Sequence, residues 1–518
     1  MLTMFLLSWK TMSTSSITND LPQLWAIKAP FSTGLNGASL KLLICVYYCL
    51  TRAALLLGPI LFFTITFIPL GGIERDARVA IGTVAWMAVW WVSMPINPAI
   101  TAFLPVAINA AFSVTDMNSI ISSYAAELVF LLAGSNIMAI AWEVTGVDKR
   151  IAALVLSLVG TSVKQQITVW FLAATLLSSV LPNTVVAAIL CSIAMSMLKF
   201  AGQGDLKKSK VAPLILLAIV WGANNGGMLT PLGGSMNLIT VSYIEELIGR
   251  EFMYTDWVVQ LLPFGIAVTV VTLVFLLMMK DGQKTLDGSR EYFRNMYKSM
   301  PPIRKQEVIS LAAFIIAAVL AFTRQLYQSY LPDLKPGFIF LIFGLLMFFI
   351  RGEDQKRILS WDYVEKNMMW GLFFLFAGGM ALGTLVNGSG AATKFSEAIS
   401  TLSFDSEFLL ILIIVTFNIV LSDVINNTAC AAVTMPIIIG VAEGLSLPVI
   451  PYIWVATVSY NISYTLPTSI RAIPIGHGLE PKYMFKRGIL LSLIVIVVVT
   501  ALSWACIKFY PGFGVLSY

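Results

Sequence analysis

Two stretches decide how this chain is read: Ser178-Ser179-Val180-Leu181-Pro182-Asn183-Thr184 and Ser422-Asp423-Val424-Ile425-Asn426-Asn427-Thr428. Each sits at the centre of an apolar run, 165–200 and 407–443, that is too long for one helix; a single span needs roughly 20 residues. Polar residues in mid-run predict a helix–turn–helix hairpin that enters and leaves the bilayer on one side, an arrangement allowed where the tip is shielded from lipid. The two stretches are also copies of one another, since 427 − 183 = 244 and the same offset aligns Ser178 with Ser422, Ala133-Gly134 with Ala377-Gly378, and Ala187-Ala188 with Ala431-Ala432. A constant offset held from residue 133 to 188 marks an internal repeat.

Outward from the tips, each hairpin is followed by an apolar segment with a polar break. The first runs from Gly222 through Asn224-Asn225-Gly226-Gly227 and Thr230-Pro231-Leu232-Gly233-Gly234-Ser235 to Asn237, and the second is Tyr464-Thr465-Leu466-Pro467-Thr468-Ser469-Ile470-Arg471. So much Gly, Asn and Pro cannot form a regular lipid-facing helix; both read as unwound spans that line a cavity. Further spans are expected near 51–70, 78–96, 98–114, 125–145, 211–242, 257–279, 307–323, 337–351, 367–386, 452–476 and 488–507. The expected fold is an all-α polytopic membrane protein, an inverted-repeat transporter with about eleven transmembrane helices and two re-entrant hairpins.

Composition agrees. Of 518 residues, 58% are hydrophobic and 12% charged, against about 25% charged in soluble domains, so lipid must cover most of the surface. The basic clusters Lys149-Arg150, Lys207-Lys208, Lys280 to Lys305, Arg351 to Lys366 and Lys482 to Arg487 all fall on one side only if both long runs are hairpins. That side is the cytoplasm, and it makes the second half an inverted copy of the first. The domain map is then a cytoplasmic tail 1–37, a first half 38–280 with hairpin 165–200 and unwound segment 222–237, a cytoplasmic linker 281–306, and a second half 307–518 with hairpin 407–443 and unwound segment 464–472.

The tips carry the chemistry. An Asn-Thr pair supplies amide and hydroxyl donors, and the helix that starts there offers free backbone N–H groups and partial positive charge, which suits a carboxylate. Two tips meeting at mid-membrane would hold the two ends of a dicarboxylate. Arg471 and Asp423 are intramembrane charges, and such charges are functional candidates by default. Arg471 has four readings at this stage: it attracts a carboxylate, pairs with Asp423, fills the place of a cation, or snorkels toward the cytoplasmic face near Lys482. Other chemistries lack their parts. The five cysteines are scattered without a CxxC pair, His477 is the single histidine, and no Walker A or HExxH pattern occurs. The chain is therefore not read as an enzyme or an ATP-driven pump, and a net charge of +6 held in short loops gives no reason to expect nucleic acid.

These features resemble the divalent anion/sodium symporter family of dicarboxylate, citrate and sulfate carriers. The resemblance spans roughly residues 50–510 and rests on Met87-Ala88-Val89-Trp90-Trp91-Val92 with the Pro-containing segment after it, on the Asn-Thr pairs of the tips, and on the breaks around Gly233 and Pro467. It implies a homodimer in the plasma (cell inner) membrane, each protomer divided into a scaffold and a transport domain that slides as an elevator. It also implies substrate contacts from Asn183, Thr184, Asn427 and Thr428, with Thr468, Ser469 and Arg471 nearby. No cofactor is expected apart from sodium, whose residual site would draw on Ser178, Asn183, Gly233, Ser422 and Asn427.

The chain departs from that pattern where sodium should bind. Pro182 and Asn426 stand where the family's tips have serine, and Arg471 stands near the asparagine position of the second break. Sodium-coupled members use the cation to organise the anion site; a fixed guanidinium would do so without an ion. The leading expectation is sodium-independent exchange of four- or five-carbon dicarboxylates such as malate, succinate or 2-oxoglutarate. The rivals are a sodium-coupled symporter of dicarboxylate, sulfate or citrate, and an anion channel or receptor on the same fold.

Overall fold

The computed structural model describes residues 53–69, 72–157, 160–206, 209–279, 285–353, 355–400 and 406–517. The expected tail 1–37, the first half up to residue 52 and residues 281–284 of the linker lie outside them. The described secondary structure is helical, with two isolated bridges at Ser162–Thr285 and Arg351–Arg357. Among the described residues, eight helices are long and apolar enough to cross a membrane, and shorter apolar helices include Ala53–Phe67, Pro98–Phe112, Ala212–Gly226 and Pro336–Leu346.

Both long runs are hairpins. The first folds as Val163–Ser178 and Asn183–Phe200, the second as Glu407–Val424 and Asn427–Gly444. The arms of the second are each long enough to span, as is the returning arm of the first, so length alone does not show re-entry; the contacts at their ends do. Trp170 and Phe200, on the two arms of the first hairpin, pack on neighbouring rings of one linker helix, Ser289–Lys298: Trp170 on Phe293 at 5.8 Å and Phe200 on Tyr292 at 5.5 Å. Ser162, at the start of the first arm, bridges to Thr285. The first hairpin therefore opens and closes on the linker face.

The second hairpin closes on the opposite face. Glu407 accepts a 2.9 Å bond from Tyr452, in the helix that follows the returning arm. Beside Tyr452, Pro451 packs against Gly514, and the carboxyl-terminal residues dock on the start of helix Tyr254–Met278: Gln260 Nε2 donates to the carbonyls of Gly512 and Val515, and Ser517 N donates to Asp256 at 3.1 Å. That helix has 25 residues, so at about 1.5 Å each it reaches roughly 37 Å, across the whole hydrocarbon layer. Its far end leads to the linker, so the two hairpins enter from opposite sides.

The repeat is a packing rule as well as a sequence pattern. A Cβ on Gly134 would meet the backbone of Phe340 and Leu341, and a Cβ on Gly378 would meet the backbone of Ala102. Gly134 and Gly378 are repeat mates, and each presses into the other half, on helices Pro336–Leu346 and Pro98–Thr101 with its cap. Small residues let backbones approach closely enough for dispersion to hold helices together in lipid. In the first half, Gly222 and Gly226 do the same against the carbonyls of Phe171 and Thr175, seating the first hairpin on Ala212–Gly226. Among the helices not foreseen are Val147–Ser157 and Ala391–Ser400, which lead into the two hairpins at matching positions.

Gly134→Ala and Gly378→Ala should each destabilise the purified protein by about 1–3 kcal/mol through overpacking, despite alanine's better helix propensity. Gly371→Ala, whose Cβ would meet Ala99 at an ordinary 3.7 Å, should be neutral or mildly stabilising. Thermal unfolding of the three variants checks this.

Candidate functional site

Each tip puts an Asn-Thr pair in the first turn of its returning helix. Pro182 caps the first, and its fixed φ turns the chain into Asn183–Phe200. Asn426 caps the second, accepting a 2.8 Å bond from Ala429 N. The first N–H groups of a helix have no partner within it, and here two such ends converge on one cavity of about 300 Å³. Asn183 and Thr184 line it from one tip, Asn427 and Thr428 from the other, with Ser469 beside them. Ser469 holds a left-handed backbone, φ +51, a conformation uncommon for a residue with a side chain and a frequent mark of functional sites.

A buried amide and hydroxyl network fixes the breaks behind the tips. Asn237 Nδ2 donates to the carbonyls of Gly227 (2.6 Å) and Thr230 (2.8 Å), folding the first break back on itself. A Cβ on Gly233 would strike the Gly227 carbonyl, so only glycine fits there. Asn461 Nδ2 donates to Asn237 Oδ1 at 3.0 Å, Asn224 Nδ2 to the Asn461 carbonyl at 2.8 Å, and Ser463 to both Asn224 (3.1 Å) and Asn427 (3.3 Å). Ser235, in the first break, shares a 2.7 Å bond with Thr428 on the second tip. The two halves thus build one polar body.

The breaks grip the tips in matching ways. The Thr230 hydroxyl donates to the Ser179 carbonyl, and the Thr468 hydroxyl donates to the Asp423 carbonyl at 3.0 Å. Ser179 and Asp423 are repeat mates, 423 − 179 = 244. The symmetry ends one residue earlier. Ser422 Oγ donates to the Ile462 carbonyl at 2.6 Å, whereas Ser178 Oγ, equally buried, has no partner among the described residues.

Of the readings open for Arg471, the geometry matches the pairing with Asp423. Neither Arg471 nor Thr468 lines the cavity. Its guanidinium is wholly buried behind the second tip, donating to the carbonyls of Leu466 (2.6 Å), Ser422 (3.2 Å) and Asp423 (3.1 Å) and to Thr468 Oγ1 (2.5 Å). The Asp423 carboxylate lies 3.9 Å away and accepts from Thr465 N at 2.9 Å. These bonds fasten the second tip from behind. A planar fork with five donors can meet several carbonyls at once and so offset part of its desolvation; its Nη1 has no partner among the described residues.

The five residues expected around sodium are divided between the two tips. Asn183 and Gly233 lie close together beside Gly227, and Ser178 ends the first arm of the same hairpin. Ser422 and Asn427 belong to the second tip, where Arg471 already occupies the carbonyls. His477 sits just past helix Ala472–Gly476, and burial, then the charge of Lys199, holds its pKa below the usual value. The far wall of the cavity was not foreseen: Asn97, Ser135 and Asn136 face the tips. Asn97 follows the tryptophan-rich stretch and Asn136 follows the repeated Ala133-Gly134, so both stood next to recognised signals.

A family model described as citrate transporter matches residues 88–459. The sodium-dependent dicarboxylate transporter SdcS of Staphylococcus saprophyticus is 28% identical over 86% of this chain and 90% of its own. Its namesake from Staphylococcus aureus strain MRSA252 is 26% identical over 91% of each. Among solved structures, the Alcanivorax borkumensis YdaH transporter shares the fold, with a TM-score of 0.50 and 14% identity over 76% of this chain and 88% of that one.

Arg471→Met should leave Asp423 as a buried, unpaired charge, at a cost of about 3–5 kcal/mol. Thermal unfolding should show that loss, and Arg471→Met with Asp423→Asn should recover much of it. A single variant as stable as the parent would contradict the clamp.

Proposed function

Because the chain belongs to the citrate transporter family, within the divalent anion/sodium symporter group, we propose that it carries four- and five-carbon dicarboxylates such as malate, succinate and 2-oxoglutarate through the two-tip cavity. The observation that carries this reading is the convergence of two helix N-termini, each with an Asn-Thr pair, on one cavity of about 300 Å³. Each end meets one carboxylate of a short dianion with backbone N–H, amide and hydroxyl donors. A site of this size lies at the small end of ligand pockets, in keeping with a cargo of a few carbons. The names of the relatives agree with a dicarboxylate cargo.

The cycle we propose is sodium-independent exchange. Carbonyls and a hydroxyl at an unwound break are what a transporter offers to a coupling cation, and at the second tip they are already taken by Arg471. The tip is then organised whether or not an ion is present. With no cargo, the cavity exposes donors and positive helix ends that are costly to drag through a low-dielectric layer; a dianion satisfies them. Loaded crossing is favoured over empty crossing, which makes the exchange obligatory. The movement we propose is an elevator. The tips and breaks form one polar body, and the wall bearing Asn97 and Asn136 belongs to helices that interlock through Gly134 and Gly378, with the cargo between. As in the family, the unit would be a homodimer in the plasma membrane, which mass measurement of the detergent-solubilised protein tests.

Sodium-coupled symport is the second reading. The relatives are named for sodium dependence, and at the first tip, where no arginine intervenes among the described residues, the buried Ser178 hydroxyl has no partner among them.

Counterflow in proteoliposomes separates the two. Exchange predicts that labelled succinate enters only against internal dicarboxylate, at the same rate with sodium or choline outside. Net uptake into empty vesicles driven by sodium would establish symport instead. Thr184→Ala and Thr428→Ala should each weaken succinate binding about 10- to 100-fold, the worth of a hydrogen bond to a charged group; unchanged affinity in both would remove the two-tip site. Arg471→Ala should uncouple exchange, allowing efflux without counter-substrate. Linking Asn97→Cys to Ser469→Cys with a thiol cross-linker should arrest turnover, and full turnover of the linked protein would contradict the elevator.

A further inference from the structure

The cavity offers more polar groups than two carboxylates at the tips would use. Its far wall carries Asn97, Ser135 and Asn136, and each has one half of its hydrogen-bonding capacity committed to the backbone. Asn97 caps helix Pro98–Thr101, its Oδ1 accepting from Ala99 N at 3.0 Å. Asn136 Oδ1 accepts at 3.3 Å from Met369 N, at the start of helix Trp370–Gly388. A backbone N–H can only donate, so both amides are held with the oxygen toward the backbone and the NH2 turned away. Neither NH2 has a partner among the described residues, and neither is sealed inside the protein. The space that both residues border is the cavity. Ser135 is set the other way. Its hydroxyl donates to the Leu132 carbonyl at 3.2 Å, which leaves its lone pairs as an acceptor.

Among the described residues, no charged side chain lines the cavity. The wall is therefore neutral, with two amide donors and one acceptor. It is also held in place, because Gly134, two residues before Asn136, is pressed against the backbone of Phe340 and Leu341. Two donors and one acceptor are the complement of a hydroxyl group, which has two lone pairs and one hydrogen to give. A methylene in that place would leave the amides unpaired once the cargo displaces water. A keto oxygen accepts but gives nothing to Ser135. A third carboxylate likewise only accepts, and it brings a charge that no lining cation offsets.

We propose that the far wall selects 2-hydroxydicarboxylates, of which malate is the four-carbon case, over unsubstituted ones. The Asn97 and Asn136 amides donate to the cargo's hydroxyl oxygen, and Ser135 Oγ accepts its hydrogen bond. This rests on the two-tip reading of the cavity, which holds the carboxylates. The test is equilibrium binding of malate, succinate and citrate to the purified full-length protein. Malate should bind about tenfold more tightly than succinate, the worth of one or two hydrogen bonds. Asn97→Ser, which keeps a capping oxygen, Asn136→Ala and Ser135→Ala should each lower the malate-to-succinate ratio about three- to tenfold. A merely structural defect would weaken both ligands together and leave the ratio in place. Equal affinities in the parent, or a ratio that persists when Asn97→Ser and Asn136→Ala are combined, would overturn the proposal and leave the two-tip site standing. Citrate binding more tightly than malate, with the difference lost in the same variants, would also overturn it, since the wall would then read a third carboxylate. Thr184→Ala and Thr428→Ala leaving both affinities intact would remove the two-tip site and this proposal with it.

Discussion

A chain that turns around inside the hydrocarbon layer strands its amide and carbonyl groups away from water, and each one left unpaired costs several kcal/mol. Here the carbonyls at both tips are taken up from behind, by Thr230 on one side and by Thr468 and Arg471 on the other. The breaks that supply those groups are themselves irregular, and the Asn224–Asn237–Asn461 network satisfies them in turn. Because the carbonyls are bound on the rear, the N–H ends of the returning helices are the polar groups left facing the cavity. An anion site follows from solving the backbone problem this way round.

The two halves solve it reciprocally. Each repeat glycine, Gly134 and Gly378, packs into the opposite half, and Ser235 of the first break touches Thr428 of the second tip. Neither half is a complete unit, so the cavity exists only where both meet. The departure from symmetry is equally physical. A guanidinium fills the space behind the second tip, while behind the first a serine hydroxyl has no partner among the described residues. One tip is held by a fixed cation and the other is not, and the question of sodium coupling is concentrated at that difference.

Most of the fold was legible because lipid imposes length and periodicity: the hairpins, both breaks and the repeat could be read from polar residues interrupting apolar runs at one offset. Asn183, Thr184, Asn427, Thr428 and Ser469 were legible for the same reason, being polar where the surroundings forbid polarity. Arg471 was found, but with several readings left open. Sequence marks a buried charge without saying which way the side chain points, and only the bonds to the carbonyls of Ser422 and Leu466 show that it faces away from the cavity. The wall of Asn97 and Asn136 was missed because a single polar residue in a span has many ordinary explanations and gains meaning only from what stands opposite. The helices Val147–Ser157 and Ala391–Ser400 were missed because short amphipathic segments carry a weak signal beside long apolar ones.

The geometry stands or falls on the two hairpins entering from opposite faces and stopping at mid-membrane. The direct measurement places single cysteines at Lys164 and Lys199, on the outer ends of the first hairpin, and at Ser406 and Ser446, flanking the second, in a chain freed of its five native cysteines. A membrane-impermeant maleimide should reach the first pair only from the cytoplasmic side and the second pair only from outside. Labelling of Lys164→Cys and Lys199→Cys from opposite sides would make that stretch an ordinary crossing and leave the cavity without its first tip.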